Sequence, residues 1–155
     1  MTAPAAKVNT ILMAEDDSDD RLLAQDALRE CGMTTDLQFV EDGVQLMDYL
    51  QRKNKFGRPG AAPKPSLIIL DLNMPRKDGR EALKEIKSDA LLKKIPVVVL
   101  TTSTADTDIA AVYELGANSF ISKPVAFNTL VSVMKTLGDY WFNVVELPLK
   151  AQGLQ

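Results

Sequence analysis

An α/β fold built on one parallel, five-stranded sheet is predicted by three features of the sequence. Short apolar runs alternate with segments whose apolar residues recur at helical spacing. The central runs, "LIIL" at 67–70 and "VVVL" at 97–100, show no polar alternation, as expected of strands covered on both faces. The length of 155 residues, with 46% hydrophobic and 25% charged, suits a single globular domain.

Residues 1–9 are small and polar and are expected to be flexible. The first strand is expected at Thr10–Ala14. In the "EDDSDD" that follows, Asp19 and Asp20 meet the positive end of a helix dipole, with Asp17 or Ser18 as N-cap. Leu23, Ala27 and Leu28 mark the apolar stripe of that helix, and Cys31 reads as a small helix-end residue. A second strand is expected at Leu37–Val40, and a second helix carries Val44, Met47 and Leu50. "RKNKFGRPGAAPKP" (52–65) holds too much Gly, Pro and Lys to be anything but a connection.

The third strand is expected at Leu67–Asp71, with Met74 and Pro75 shaping the loop after it. The third helix starts at Gly79 and carries Leu83 and Ile86. The fourth strand is expected at Pro96–Thr101, and Ile109, Val112 and Leu115 mark a helix that Thr102 with Ser103 or Thr104 would cap. Ser119–Ser122 forms the fifth strand. The last helix starts near Phe127, with Leu130, Met134, Leu137 and Trp141 on one face.

A net charge of -3 without a long basic run argues against a partner gripped by its phosphates, whether nucleic acid or anionic membrane. The single cysteine excludes an internal disulfide, and the absence of histidine excludes a Cys/His zinc site or a Cys-His dyad. No leader pattern or membrane-length apolar stretch is present, so a cytoplasmic location is expected.

In an open parallel sheet, functional groups collect beyond the carboxyl ends of the strands. Those ends carry Glu15 and Asp16, then Asp71, then Thr101 and Thr102, then Lys123 and Pro124. Three converging carboxylates raise one another's pKa unless a counter-charge is supplied, and hard oxygen ligands suit Mg²⁺ or Mn²⁺. Such an open site fits phosphoryl chemistry: Asp71 as the nucleophile that forms an acyl phosphate, Lys123 and Thr101 as stabilising donors. Plainer readings compete for single residues, with Glu15 and Asp16 as a solvated loop and Thr101 as a β-branched strand residue. The joint arrangement is what chance does not readily produce.

The stretches "ILMAEDD", "LIILDLNMPRKDG", "IPVVVLTTS" and "GANSFISKPV" together resemble the receiver domains of two-component response regulators, over about Thr10 to Leu137. The resemblance implies a flavodoxin-like, doubly wound (βα)5 fold and phosphoryl transfer from a histidine kinase to Asp71. It implies that Asp16 and Asp71 bind the metal directly, Glu15 through water, and Asn73 through its backbone carbonyl. Thr101 and Phe120 would form the switch pair, and Lys123–Pro124 would be a cis peptide. A receiver is not an enzyme acting on other molecules, since it catalyses only its own phosphorylation and dephosphorylation.

By the same resemblance, residues 10–138 form the receiver and 139–155 a C-terminal extension. That tail places Tyr140, Trp141 and Phe142 where a stand-alone receiver would have ended. It either folds back on its own core or forms an interface. "DLNMPRKDGREAL", "LTTS", "ANSFISKPV" and "YWFNVVELP" resemble the small regulators paired with phytochrome histidine kinases, which implies a homodimer using the tail and an unidentified downstream protein. Two other functions compete: a Mg²⁺-dependent phosphohydrolase, disfavoured because Asn73 stands where its second acid is needed, and an interaction module independent of phosphorylation.

Overall fold

A computed structural model describes residues 9–102 and 105–147. Five strands, β1 (Asn9–Ala14), β2 (Thr35–Val40), β3 (Leu67–Leu70), β4 (Val97–Thr101) and β5 (Ser119–Ser122), alternate with five helices. These are α1 (Ser18–Glu30), α2 (Gly43–Gln51), α3 (Gly79–Ser88), α4 (Asp106–Glu114) and α5 (Phe127–Gly138). All pairs are parallel in the order β2-β1-β3-β4-β5, with Ile11 opposite both Leu37 and Leu67, and Val99 opposite both Leu70 and Phe120. The order reverses between β1 and β3, so the carboxyl ends of these two strands flank the crevice where such sheets hold their ligands.

The unbroken apolar runs are explained by two separate cores. Leu12, Ala14, Ile68, Leu70, Val97 and Val99 point to the side covered by α2 and α3, where Leu46, Tyr49, Leu83 and Ile86 meet them. Ile11, Met13, Leu67, Ile69, Val98 and Leu100 point to the side of α1 and α5, against Ala27, Leu28, Leu130 and Met134. Each central strand therefore feeds both cores, and a polar residue within it would be buried on whichever face it took.

Several boundaries differ from expectation. β1 begins one residue and β2 two residues before the predicted starts, and most of residues 1–9 lie outside the described residues. β3 stops at Leu70, although the Asp71 amide still donates to Ala14 O at 3.1 Å, which holds Asp71 at the strand's end. Pro96 precedes β4 because it has no N–H to give the ladder. Leu23 is exposed and Ala24 takes its place in the core, whereas in α2 Leu46 and Tyr49 are buried more deeply than Val44 and Leu50. The N-cap of α4 is Ala105, which offers no side-chain cap; Ser103 and Thr104 lie outside the described residues.

The connection after α2 contains one 3₁₀ turn, Asn54–Phe56, and is pinned by the Tyr49 hydroxyl donating to Pro63 O at 2.7 Å. Cys31 caps the end of α1, as a helix-end residue should. Beyond Gly138, α5 widens into one π turn, Asp139–Val144. No described helix is long and apolar enough to cross a membrane.

Candidate functional site

The site is built at the carboxyl edge from side chains that the strands deliver there. Asp71 is 6% exposed and Thr101 0%, and the Thr101 hydroxyl donates to Asp71 Oδ1 at 2.8 Å. The Asn73 amide donates to the same oxygen at 3.2 Å, and Lys123 Nζ donates to Asp71 Oδ2 at 3.3 Å. Both carboxylate oxygens thus have donors, which is how a nearly buried anion is tolerated.

Glu15, 1% exposed, faces Lys123 Nζ at 2.5 Å through Oε1, an ion contact without hydrogen-bond alignment. Its Oε2 accepts from the Asp17 amide at 3.2 Å. Burial pushes the Glu15 carboxyl up to about 7, the contact with Lys123 opposes this, and the charge of Asp71 adds to it. For Lys123, burial acts downward, but contact with Glu15 and Asp20 and the charge of Asp71 outweigh it and hold the ammonium above the usual lysine range. Lys123 therefore stays charged at the centre of three carboxylates.

Glu15, Asp16 and Asp71 each bring one carboxylate oxygen within 4.8 Å of the others. Glu15 Oε1 is buried and is compensated by the charge of Lys123 without an aligned hydrogen bond, and all three ligand atoms are hard carboxylate oxygens. Both observations fit a divalent cation such as Mg²⁺ or Mn²⁺.

The loop after Asp71 is held by close packing. The Gly79 amide donates to Leu72 O at 2.9 Å, and a Cβ on Gly79 would lie 2.4 Å from Asp71 O. Asp42, itself buried, accepts from the Gln45 amide at 2.8 Å as the α2 cap and from Arg76 at 3.3 Å, tying α2 to this loop. A Cβ on Gly43 would lie 2.2 Å from Lys77 O, so α2 also presses directly on the loop.

Of the predicted site residues, the edge brings together Glu15, Asp16, Asp71, Thr101 and Lys123. Asn73 adjoins them through its amide. Phe120 lies apart, half-buried against the α2 and α3 core, with its amide donating to Tyr113 Oη at 3.0 Å. The expected cis peptide at Lys123–Pro124 is not found: among the described residues no peptide is cis. The trans form is the intrinsically preferred one for X–Pro, by about 0.5–1 kcal/mol.

Sequence reasoning assigned Asp20 only to the start of α1, yet it accepts from Lys123 Nζ at 2.9 Å. Its place in the first turn of α1, directly after the acid pair at the end of β1, was the available signal. In the tail, Trp141 and Phe142 pack partly on the α1 and α5 core, whereas Tyr140 is 49% and Val144 71% exposed.

The model of the response regulator receiver domain family matches residues 11–135. Response regulator Rcp1 of Synechocystis sp. is 40% identical over 138 residues, which cover 89% of this chain and 92% of that protein. Among solved structures, the phosphorylated cyanobacterial phytochrome response regulator RcpA aligns with a TM-score of 0.84 at 39% identity, covering 92% of this chain and 99% of that one. The Mn²⁺-bound form of Rcp1 aligns with a TM-score of 0.81 at 39% identity, covering 90% and 99%. With the sheet order, the buried aspartate at its edge and the acid cluster beside it, these matches mean that the chain belongs to the response regulator receiver domain family.

Proposed function

We propose that the protein relays a signal by accepting a phosphoryl group on Asp71 from the phosphohistidine of a sensor histidine kinase of the phytochrome type. The observation that carries this reading is the convergence of Thr101 and Lys123 on the Asp71 carboxylate beside Glu15 and Asp16. The phosphorus–nitrogen bond of the donor breaks and a phosphorus–oxygen bond to Asp71 forms, with the imidazole nitrogen keeping the electron pair. None of these 155 residues is a histidine, so the phosphohistidine lies outside them. Similarity to Rcp1 and RcpA supports a phytochrome kinase as that donor.

Glu15, through water, with Asp16, Asp71 and the Asn73 carbonyl would hold Mg²⁺ or Mn²⁺. The cation supplies charge neutralisation at the phosphoryl oxygens. Lys123 is charged and already within reach of Asp71, so it pairs with the incoming group without being recruited from elsewhere. Thr101 releases Asp71 Oδ1 and turns to the phosphoryl group, with Phe120 following it, which biases the face made by α4, β5 and α5. Leu22 and Leu23 on α1 and Val125 in the loop after β5 are exposed apolar side chains, the kind of residue a docking kinase helix would cover.

Output is through protein contacts, with a homodimer that uses Tyr140, Trp141 and Phe142, and the protein acts in the cytoplasm. Exposed Tyr140 and Val144 support the dimer, with Trp141 and Phe142 anchoring the turn that presents them. The test is phosphotransfer from purified, radiolabelled kinases of the host. Rapid transfer from a phytochrome kinase and slow transfer from the others is the expected result. Equal rates from every kinase would refute the pairing, and no transfer from any would refute the function.

A further inference from the structure

We infer that Arg80 couples the phosphoacceptor loop to α4 by bridging two carboxylates that belong to different helices. The kinetic part of this inference rests on the receiver reading, whereas the structural part does not. Arg80 is the second residue of α3, whose start is fixed to the loop by the contact of Gly79 with Leu72. One guanidinium nitrogen lies 3.2 and 3.1 Å from the two oxygens of Asp78, the α3 N-cap. The other lies 3.2 Å from Asp108 Oδ1, in the first turn of α4. A planar fork can hold both at once, which a point charge cannot.

The bridge matters because, among the described residues, α4 is lightly packed. Val112 is its one buried residue among those described, and its N-cap Ala105 makes no side-chain cap. At the other end the Tyr113 hydroxyl accepts from the Phe120 amide of β5 at 3.0 Å. Among the described residues, α4 thus has polar contacts at both ends and a single buried side chain, in contrast to α5, which buries Leu130, Met134 and Leu137. An ion pair about one-third exposed is weak, but on a lightly packed helix it shifts the balance between docked and displaced states by about twofold to fivefold. Release of α4 is then easier without Arg80, and phosphorylation that requires this release becomes faster.

The experiment compares the unaltered chain with Arg80→Gln, Arg80→Lys, Asp108→Asn and the Arg80→Gln/Asp108→Asn double variant. Amide hydrogen exchange is read residue by residue, and phosphorylation is followed with acetyl phosphate and Mg²⁺. Expected is a loss of protection of about twofold to fivefold at Ile109–Tyr113 in every variant, with α1 and α5 unchanged and no further loss in the double variant. The initial phosphorylation rate should rise by up to the same factor. Wild-type protection in Arg80→Lys would overturn the inference, since one charge would then suffice. Equal losses in all helices, additive losses in the double variant, or an unchanged phosphorylation rate would overturn it too. Failure of the unaltered chain to become phosphorylated would count against the receiver reading, and the exchange data would still decide the bridge.

Discussion

Gly79→Ala tests whether backbone packing holds the phosphoacceptor in place. The added methyl would lie 2.4 Å from Asp71 O, 2.7 Å from Leu72 Cα and 3.1 Å from Leu72 O. Carbon contacts are comfortable only near 3.5 Å, so the start of α3 and the end of β3 must separate by about 1 Å. Overpacking of this kind costs about 1–3 kcal/mol, offset by at most about 1 kcal/mol from alanine's better helix propensity. A net loss of about 1–2 kcal/mol is expected in urea unfolding. The contacted oxygen belongs to Asp71 itself, so a displacement near 1 Å should also slow phosphorylation by about 10–100-fold. The rate is read by intact mass after addition of acetyl phosphate and Mg²⁺, at a temperature where the variant is still folded. A variant destabilised but phosphorylated at the wild-type rate would refute the positioning argument; one unchanged in both would refute the packing.

Thr101→Val removes a buried hydroxyl bonded to Asp71 and keeps its shape. It should lower stability by about 1–3 kcal/mol in urea unfolding, and phosphorylation should still occur because Asp71 remains. The Glu15 carboxyl, raised by burial from 4.5 to about 7, makes metal-free stability fall with pH. The stabilisation from this group is fully present below its unfolded value and is lost as pH rises through the folded one. Mg²⁺ needs the ionised form, so it should raise the melting temperature more at about pH 8 than at about pH 6, measured by calorimetry. Truncation before Tyr140 should weaken self-association in sedimentation velocity, and a full-length chain that stays monomeric at high concentration would contradict the dimer.

The parts of the fold legible in the sequence are those where one physical rule dominates. "LIIL" and "VVVL" read as central strands because burial on both faces leaves no place for a polar residue. Asp71, Thr101 and Lys123 were legible because strand ends in a parallel sheet all point to one edge. Leu23 misled because leucine fits the stripe better by hydropathy, yet α1 packs so closely that Ala24 fills the core position.

What escaped the sequence depends on partners distant along the chain. Asp20 meets Lys123 only once β5 is in place, and Asp42 meets Arg76 only across the packed α2 and β3–α3 loop. Gly79 was read as a helix start, but its closeness to Asp71 O is a tertiary fact. The isomer at Lys123–Pro124 turns on a small energy difference that no local pattern fixes. The π turn was hidden because Trp141 continues the apolar spacing of α5 after the α-helix has ended.

Everything proposed for this protein turns on Asp71 as the phosphoacceptor. Its most direct test is the intact mass of the chain and of Asp71→Asn after incubation with acetyl phosphate and Mg²⁺. One added phosphoryl group is expected on the wild-type chain, lost when Mg²⁺ is chelated beforehand, and none on the variant. An equal gain by Asp71→Asn, or no gain by the wild type, would contradict it.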